Sequence, residues 1–571
     1  MRRLLAFLFA FALIAAACGS DSSDDAGSGS SDDSDEESSD SDDTESTTPT
    51  TVRQVSDLDP DAVGVAGETV MGIETPSDRG PESSGTLDFS WHTGFSQKWF
   101  DPSLNTSSVS QYGTQYIVHD ALVKSMPDYP FFPSLAQEYT VAEDFMSANF
   151  VLRPGLTFHD GSALDTEDVK FSYENYQGTG AATLHDLTSE VEIVDELSIT
   201  FHFTEPFLDF MLLYGSTATG AGWVVPSDYY EEVGPEGFLE HPIGAGPFRF
   251  VENQDNVKIV YEAFEDYWRK NPGVETLNFN AITDPATRYA AVSTGELDLA
   301  NNMTGDLLDQ VRADPNVELV ETTLIPFWIE FIGYTDPDSP FNDIRVREAV
   351  DLAINRTEIN EAEAGGAGED FGQWIPRDRQ GALEVERIDQ DLERALELMA
   401  EAGYADGFDV PALTPLPNYF SLGERVIQML GEIGIRTELV QMDRGEFLGQ
   451  INSGDDANFE GLVVNISGAG GDAAVRIRNF ASCDGGASRI CDPMIDEPFA
   501  QYEASTDPAE REELLSQIQQ YILDEHLFPF VYTLGFNNAQ GPDVDQPGDE
   551  IWGRIPQYPY PGPWENITVS N

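Results

Sequence analysis

The hydrophobic period of this chain changes along its length, and that change limits its possible folds more than any other feature. Between about 85 and 240, apolar and polar residues alternate in short runs bounded by Gly and Pro, as at 148–152 and 197–203. Such runs are the pattern of half-buried strands. Further on, apolar residues recur at helical spacing over 286–294, 345–354, 392–402, 422–433 and 508–523, and strand-like runs follow several of them, as 436–440 follows Gly434. Alternating helices and strands predict α/β domains with largely parallel sheets. The 571 residues suffice for two or three domains with a sizeable core, and no internal repeat interrupts the pattern.

The N-terminus is of a different kind. Met1-Arg2-Arg3 is a positive n-region, 4–17 is an apolar run too short to span a bilayer as a helix, and Cys18 follows at once. The sequence Ile14-Ala15-Ala16-Ala17-Cys18-Gly19 resembles a bacterial lipobox, in which the cysteine is lipidated, with Ala15 where Leu is usual. An ordinary secretory signal with an incidental Cys is the alternative. From Gly19 to about Thr51 the chain is almost wholly Ser, Asp, Glu, Thr and Gly, which cannot bury enough apolar surface to offset chain entropy. The expected organisation is a signal peptide at 1–17, then the lipidated Cys18 and a disordered acidic tether over 18–60, with ordered structure beginning near Gly85. The folded part is expected at the outer face of the cell membrane, extracellular or periplasmic.

Charge excludes some partners. The chain holds 29 basic and 103 acidic residues, a net −74, which repels nucleic acid and anionic lipid. Only five of the cations are Lys (98, 124, 170, 258, 270). Acid-rich, Lys-poor surfaces suit a saline medium that screens self-repulsion, although a low-pI lineage would show the same composition. In an exported protein, Cys483 and Cys491, flanking a Gly-Gly turn, predict one local disulfide. The seven His are scattered without metal-site spacing, so no metal and no cofactor is expected. His159-Asp160-Gly161 has the residue types of an acid–base pair. No Gly-x-Ser-x-Gly or comparable nucleophile device accompanies it, so His159 is read as structural and no catalytic residue is assigned. Gly161 suits a left-handed turn, and Asp165 or Thr166 can cap a helix running from Glu167.

An ordered series of motifs then carries a resemblance. Asp120-Ala121-Leu122-Val123-Lys124, Pro133-Ser134-Leu135-Ala136, the run 150–161 and the run 165–172 come first. Pro242 to Phe248, Asp266-Tyr267-Trp268, Asp284 to Arg288, Gly295 to Asp298, 341–350, Ala402-Gly403-Tyr404 and Gly434-Ile435 follow. Together, across about 85–535, they resemble the signature of family 5 extracellular solute-binding proteins, the oligopeptide-, dipeptide- and nickel-binding components of ABC importers. The resemblance implies an α/β, two-lobed, periplasmic-binding-protein-like (type II) clamp with mixed sheets and an extra β-rich subdomain in lobe I. It implies lobe I at 85–300 with the subdomain at roughly 118–240, lobe II at 301–525, and a return to lobe I at 526–571. It also implies a monomer that captures a small-molecule or peptide ligand and passes it to ABC permease subunits served by cytoplasmic ATPases.

The resemblance also points to contact residues. In peptide-binding members the segment before the first Asp-Pro lines the cleft; here that is Gly94 with Phe95, Ser96 and Gln97, before Asp101-Pro102, although Phe95 and Trp99 also suit a core. The peptide amine in those members meets an Asp a few residues after a Gly-Trp pair. The matching stretch is Gly468-Ala469-Gly470-Gly471-Asp472, and a carboxylate there makes charge-assisted bonds to an ammonium. Ala469 replaces the Trp, and Ala473-Ala474 stands where Asp-Pro commonly follows, which opens the pocket. Arg476 and Arg478 suit either a ligand carboxylate or internal ion pairs. Two further readings stay open: a secreted hydrolase such as a glycosidase with paired carboxylates, and a clamp-fold sensor or adhesin binding a non-peptide solute.

Overall fold

The computed structural model describes residues 51–57, 66–105, 109–127, 129–216, 219–305, 307–366, 368, 372–376, 379–451, 458–466, 472–556 and 558–570. The helices lie where the apolar spacing puts them: Pro285–Ser293, Ile344–Ala353, Leu392–Glu401, Phe420–Glu432 and Pro508–Asp524. Their starts have a common chemistry. Asp284, Asp492 and Asp507 each accept a backbone N–H of the first turn, and each is followed by Pro at the first helical position, where a missing N–H costs nothing. Part of the acidic excess therefore serves as helix caps. The strand expected at 436–440 is shorter than its pattern, since only Ile435–Arg436 pairs, with Phe408–Asp409, and Leu439 makes one isolated bridge.

One nine-stranded sheet organises the molecule. Its order is Phe248–Gln254, Lys258–Ala263, Thr276–Ala281, Thr86–Trp91, Leu299–Ala300, Phe530–Gln540, Glu318–Phe331, Leu462–Ile466, Leu413–Pro415. The sheet is mixed, and the expectation of largely parallel sheets fails for a topological reason. Glu318–Phe331 and Phe530–Gln540 pair antiparallel along most of their lengths, because one carries the chain out of the first lobe and the other brings it back. Each strand passes from one hydrophobic cluster to another. Val320 belongs to a core with Phe89, Trp91, Phe279 and Trp564, whereas Ile325, Phe327 and Phe331 belong to another with Leu413, Leu430 and Val464. On the way back Phe536 is still in the second core and Ala539 lies in a small cluster with Val292, Leu308 and Val311. Residues 301–317 thus pack with the first lobe, and the handover lies between Val320 and Ile325 on the way out and between Phe536 and Ala539 on the way back, not near 300 and 525.

The β-rich subdomain is a six-stranded sheet in the order Thr51–Gln54, Glu68–Met71, Ala136–Val141, Ser147–Leu152, Ser198–Phe203, Thr188–Ile193. Its first two members correct the expected tether of 18–60 and the expected start of order near Gly85. Thr51–Gln54 pairs parallel with Glu68–Met71 although all four of its residues are exposed. Strand addition draws on main-chain hydrogen bonds at an edge, so it needs no apolar pattern that a sequence could display. The expected signal peptide and Cys18 lie outside the described residues. Among the described residues no helix is long and apolar enough to cross a membrane.

The His159 turn is scaffold. Gly161 adopts a left-handed φ of 86°, and Asp165 caps the helix Thr166–Glu174, with Asp168 closing a capping box. His159 Nε2 bonds the Gly246 carbonyl at 3.0 Å, its Nδ1 accepts from the Gly244 N–H at 3.3 Å, and burial pushes its pKa down to about 3. A neutral ring committed at both nitrogens to one backbone segment holds a loop in place. Cys483 and Cys491 form the expected disulfide. Closing a loop of about nine residues contributes roughly 2–3 kcal/mol on the loop-entropy scale.

Candidate ligand-binding site

The two lobes meet at two polar clusters. At the first, the helix Ala473–Phe480 of lobe II packs between them: Val475 enters the core of the β-rich subdomain, while Ile477 and Phe480 enter the core of lobe II. Asp209 of the subdomain faces this helix. Its carboxylate takes hydrogen bonds from Arg511, from Arg478 Nη2 at 3.5 Å and from the Tyr502 hydroxyl at 3.3 Å, all from lobe II. The Arg511 guanidinium lies 3.7 Å over the Tyr502 ring, and Arg478 also pairs with Glu503. Asp209 thus joins the lobes through charge-assisted bonds, the strong kind.

Asp472 stands beside this cluster at the N-cap of the same helix. It is half-buried, and its Oδ1 accepts from the Val475 N–H at 2.9 Å. Burial first, and then the negative charge of Asp209, push its pKa up to about 7, against the pull of the cap bond and of Arg511 and Arg478. A carboxylate raised that far lacks a cation of its own, because Asp209 takes the direct bonds of both arginines.

At the second cluster, His92, Trp91 and Tyr560 of lobe I approach Tyr419 and Arg444 of lobe II. Asn302 Nδ2 donates to the Tyr419 hydroxyl at 3.5 Å across the boundary. Tyr560 packs on Trp91 with centroids 4.8 Å apart, and its hydroxyl, the Ser110 hydroxyl and the Trp91 indole N–H are buried without a hydrogen bond of normal geometry. Burial, and then the charges of Arg444 and Arg288, hold His92 well below its ordinary pKa, so its ring is neutral.

The residues singled out in the sequence fall in different places. Phe95 is buried in the lobe I aromatic core, 6.0 Å from the Trp91 ring, and its N–H bonds Asn256 Oδ1 at 3.2 Å. Ser96 is half-buried and Gln97 exposed. Gly468, Ala469 and Gly470 lie outside the described residues. Arg476 is fully buried, donates to the Trp374 carbonyl at 3.2 Å and lies 5.7 Å from that ring, which makes it a core residue of lobe II. Arg478 takes the ion-pair role. The contacts of Phe95 and those of Asp472 share no residue. Asp209, Tyr502, Arg511, Tyr419, Arg444 and Tyr560 carried no sequence signal, because six separate segments supply them and no local spacing marks any of them.

A separate cavity of about 320 Å³ opens in lobe I beside Arg153, Phe264 and Trp268. Arg153 there donates to the carbonyls of Ser134, Ile73 and Pro133 and stacks 3.9 Å from the Trp268 ring, so the cation already has partners.

The profile of the bacterial extracellular solute-binding proteins, family 5 (middle region), matches residues 131–488, more than half of the chain. The Dipeptide-binding protein of Escherichia coli K12 is 26% identical over 471 residues, covering 75% of this chain and 86% of that protein. Heme-binding protein A of Haemophilus influenzae is 25% identical over 502 residues, covering 80% and 89%. The solved structure of the ABC transporter-associated periplasmic binding protein DppA from Helicobacter pylori, in complex with the peptide STSA, superposes with a TM-score of 0.74 at 20% identity, over 86% of this chain and 99% of that one.

Proposed function

The chain belongs to the bacterial extracellular solute-binding proteins, family 5, and from that premise we propose that it captures a small peptide between its lobes and hands it to the membrane subunits of an ABC importer, without catalysing a reaction. The observation that carries this reading is Asp472, a half-buried carboxylate at a lobe boundary with its pKa raised to about 7. It is matched to a ligand ammonium, because a cation brought by the ligand relieves both the burial and the repulsion from Asp209. The mechanism is closure. Asp209 on one side and Arg478, Tyr502 and Arg511 on the other bond only when the lobes are together, so a ligand that touches both lobes shifts the population toward the closed form. The two long strands that run from one lobe to the other supply the hinge, with lobe I up to about Val320 and lobe II from about Ile325 to Phe536. Absence of catalysis accords with the neutral, backbone-held His159.

Native mass spectrometry of protein purified without denaturation, followed by solution scattering before and after ligand removal, tests the reading. A retained peptide whose removal enlarges the radius of gyration is the expected result. A retained non-peptide solute would overturn the peptide assignment, and an unchanged radius would overturn closure.

Anchoring through Cys18 belongs to the same proposal. Its support is the charged n-region, the short apolar run and the small residues before the Cys. Replacing Cys18 with Ser is expected to release soluble protein or leave an unprocessed precursor. Unaltered fractionation with the membrane would exclude the lipid.

A further inference from the structure

We propose that Arg444 is the anchor for a carboxylate on the ligand, received side-on by its Nε and Nη2 with the Tyr560 hydroxyl beside it. The inference rests on the reading of the interlobe cleft as the ligand site. Several arginines elsewhere are matched with acids: Arg347 with Glu525, Arg356 with Asp351, Arg489 with Glu330 and Arg511 with Asp209. Arg444 is not. Among the described residues it forms no ion pair, and its hydrogen bond runs from Nη1 to the Pro417 carbonyl at 3.0 Å. Nε is buried without a partner. The carboxylate nearest in sequence, Asp443, accepts the Gly445 N–H at 2.8 Å instead.

What remains on Arg444 is the edge formed by Nε and Nη2, two parallel donors in the geometry that a carboxylate takes bidentately. Leaving a charged donor buried and unpaired is costly in a folded protein, and a ligand oxyanion would remove that cost. The groups around it, His92, Tyr419 and Tyr560, are neutral, and the other guanidinium whose charge reaches His92 and Tyr419, that of Arg288, already donates through Nη1 and Nη2 to the Ile282 and Asn302 carbonyls, so the open pair of donors is that of Arg444. One open pair of parallel donors matches the two oxygens of a carboxylate better than the three of a phosphate monoester. On a chain of net −74, the Arg444 guanidinium also offsets locally the field that repels an anionic solute.

The test uses ligand-stripped full-length protein and two probe sets screened by native mass spectrometry. One is a library of dipeptides as free acids and as C-terminal amides. The other holds small non-peptide carboxylic acids and phosphate monoesters. The strongest binder and its uncharged counterpart are then titrated calorimetrically against the wild type, Arg444→Met and Arg444→Lys, with melting curves of the stripped proteins. The expected result is a preference for the free acid of about tenfold or more, lost in Arg444→Met, partly kept in Arg444→Lys, at unchanged melting temperature. A preference that survives in Arg444→Met, or stronger binding of phosphate monoesters, would overturn the anchor. Equal binding of acid and amide peptides would overturn the anchor and leave the peptide reading standing. Arg444-dependent binding confined to non-peptide carboxylates would do the reverse, and no binding from either set would overturn both.

Discussion

Asp472→Asn is expected to weaken ligand binding by about 2–5 kcal/mol, the range for removing one partner of a buried charge pair, while leaving the fold intact. Asparagine keeps the side-chain oxygen that accepts the Val475 N–H, so the helix cap survives. The two proteins should also part company with pH. The folded-state pKa of Asp472 is raised from an ordinary 3.8 to about 7, so its contribution to stability is fully present below 3.8 and is lost as pH rises through 7. Without ligand, Asp472→Asn should therefore melt higher than wild type at pH 8, by a margin that shrinks toward pH 4. Binding runs the other way: an ammonium needs the ionised carboxylate, so wild-type affinity should fall as pH drops from 8 to 6, and that of the variant should not. Calorimetric titration with the co-purifying solute across this range, with melting curves at each pH, checks both. Equal affinities at equal stability would remove Asp472 from the site.

The second large effect is expected at Asp120. This carboxylate is fully buried in lobe I and receives the Lys124 ammonium at 2.9 Å, the Trp268 indole N–H at 2.9 Å, the Tyr267 hydroxyl at 3.0 Å and the Ser134 hydroxyl at 2.7 Å. Asp120→Ala leaves a buried ammonium and three buried donors without their acceptor, at an expected cost of about 3–5 kcal/mol. The Tyr116 and Trp223 rings, 5.5 and 5.9 Å from Lys124 Nζ, hold that cation only weakly. Adding Lys124→Met should recover part of the loss, because removing both charges is cheaper than stranding one. Denaturant unfolding of the two single variants and the double variant gives the cycle. A double variant no more stable than Asp120→Ala would show that the ion pair is not the source of the cost.

The two sites differ in how far the sequence foretold them. Asp120 and Lys124 belong to one short motif, and Trp268 to another, so their importance was legible even though their contact was not. Asp472 was legible by resemblance to relatives. Its electrostatics were not, because they depend on Asp209, which is 269 residues from Arg478 and 302 from Arg511 in the chain.

The sequence by itself determined what neighbouring residues can decide. Apolar spacing and Asp-Pro caps set the helices Pro285–Ser293 and Pro508–Asp524, and a short spacing joined Cys483 to Cys491. The ordered motifs disclosed the family. Tertiary structure alone decided the rest. Thr51–Gln54 became a strand through backbone pairing that its exposed side chains do not encode. The lobe boundary fell inside Glu318–Phe331, where Val320 packs in one core and Ile325, Phe327 and Phe331 pack in another, contacts that depend on residues far away in the chain. The Asp209 cluster, and the approach of Arg444 to His92 and Tyr419, arose because charge and hydrogen bonding act through space, between groups that only the folded chain brings within reach.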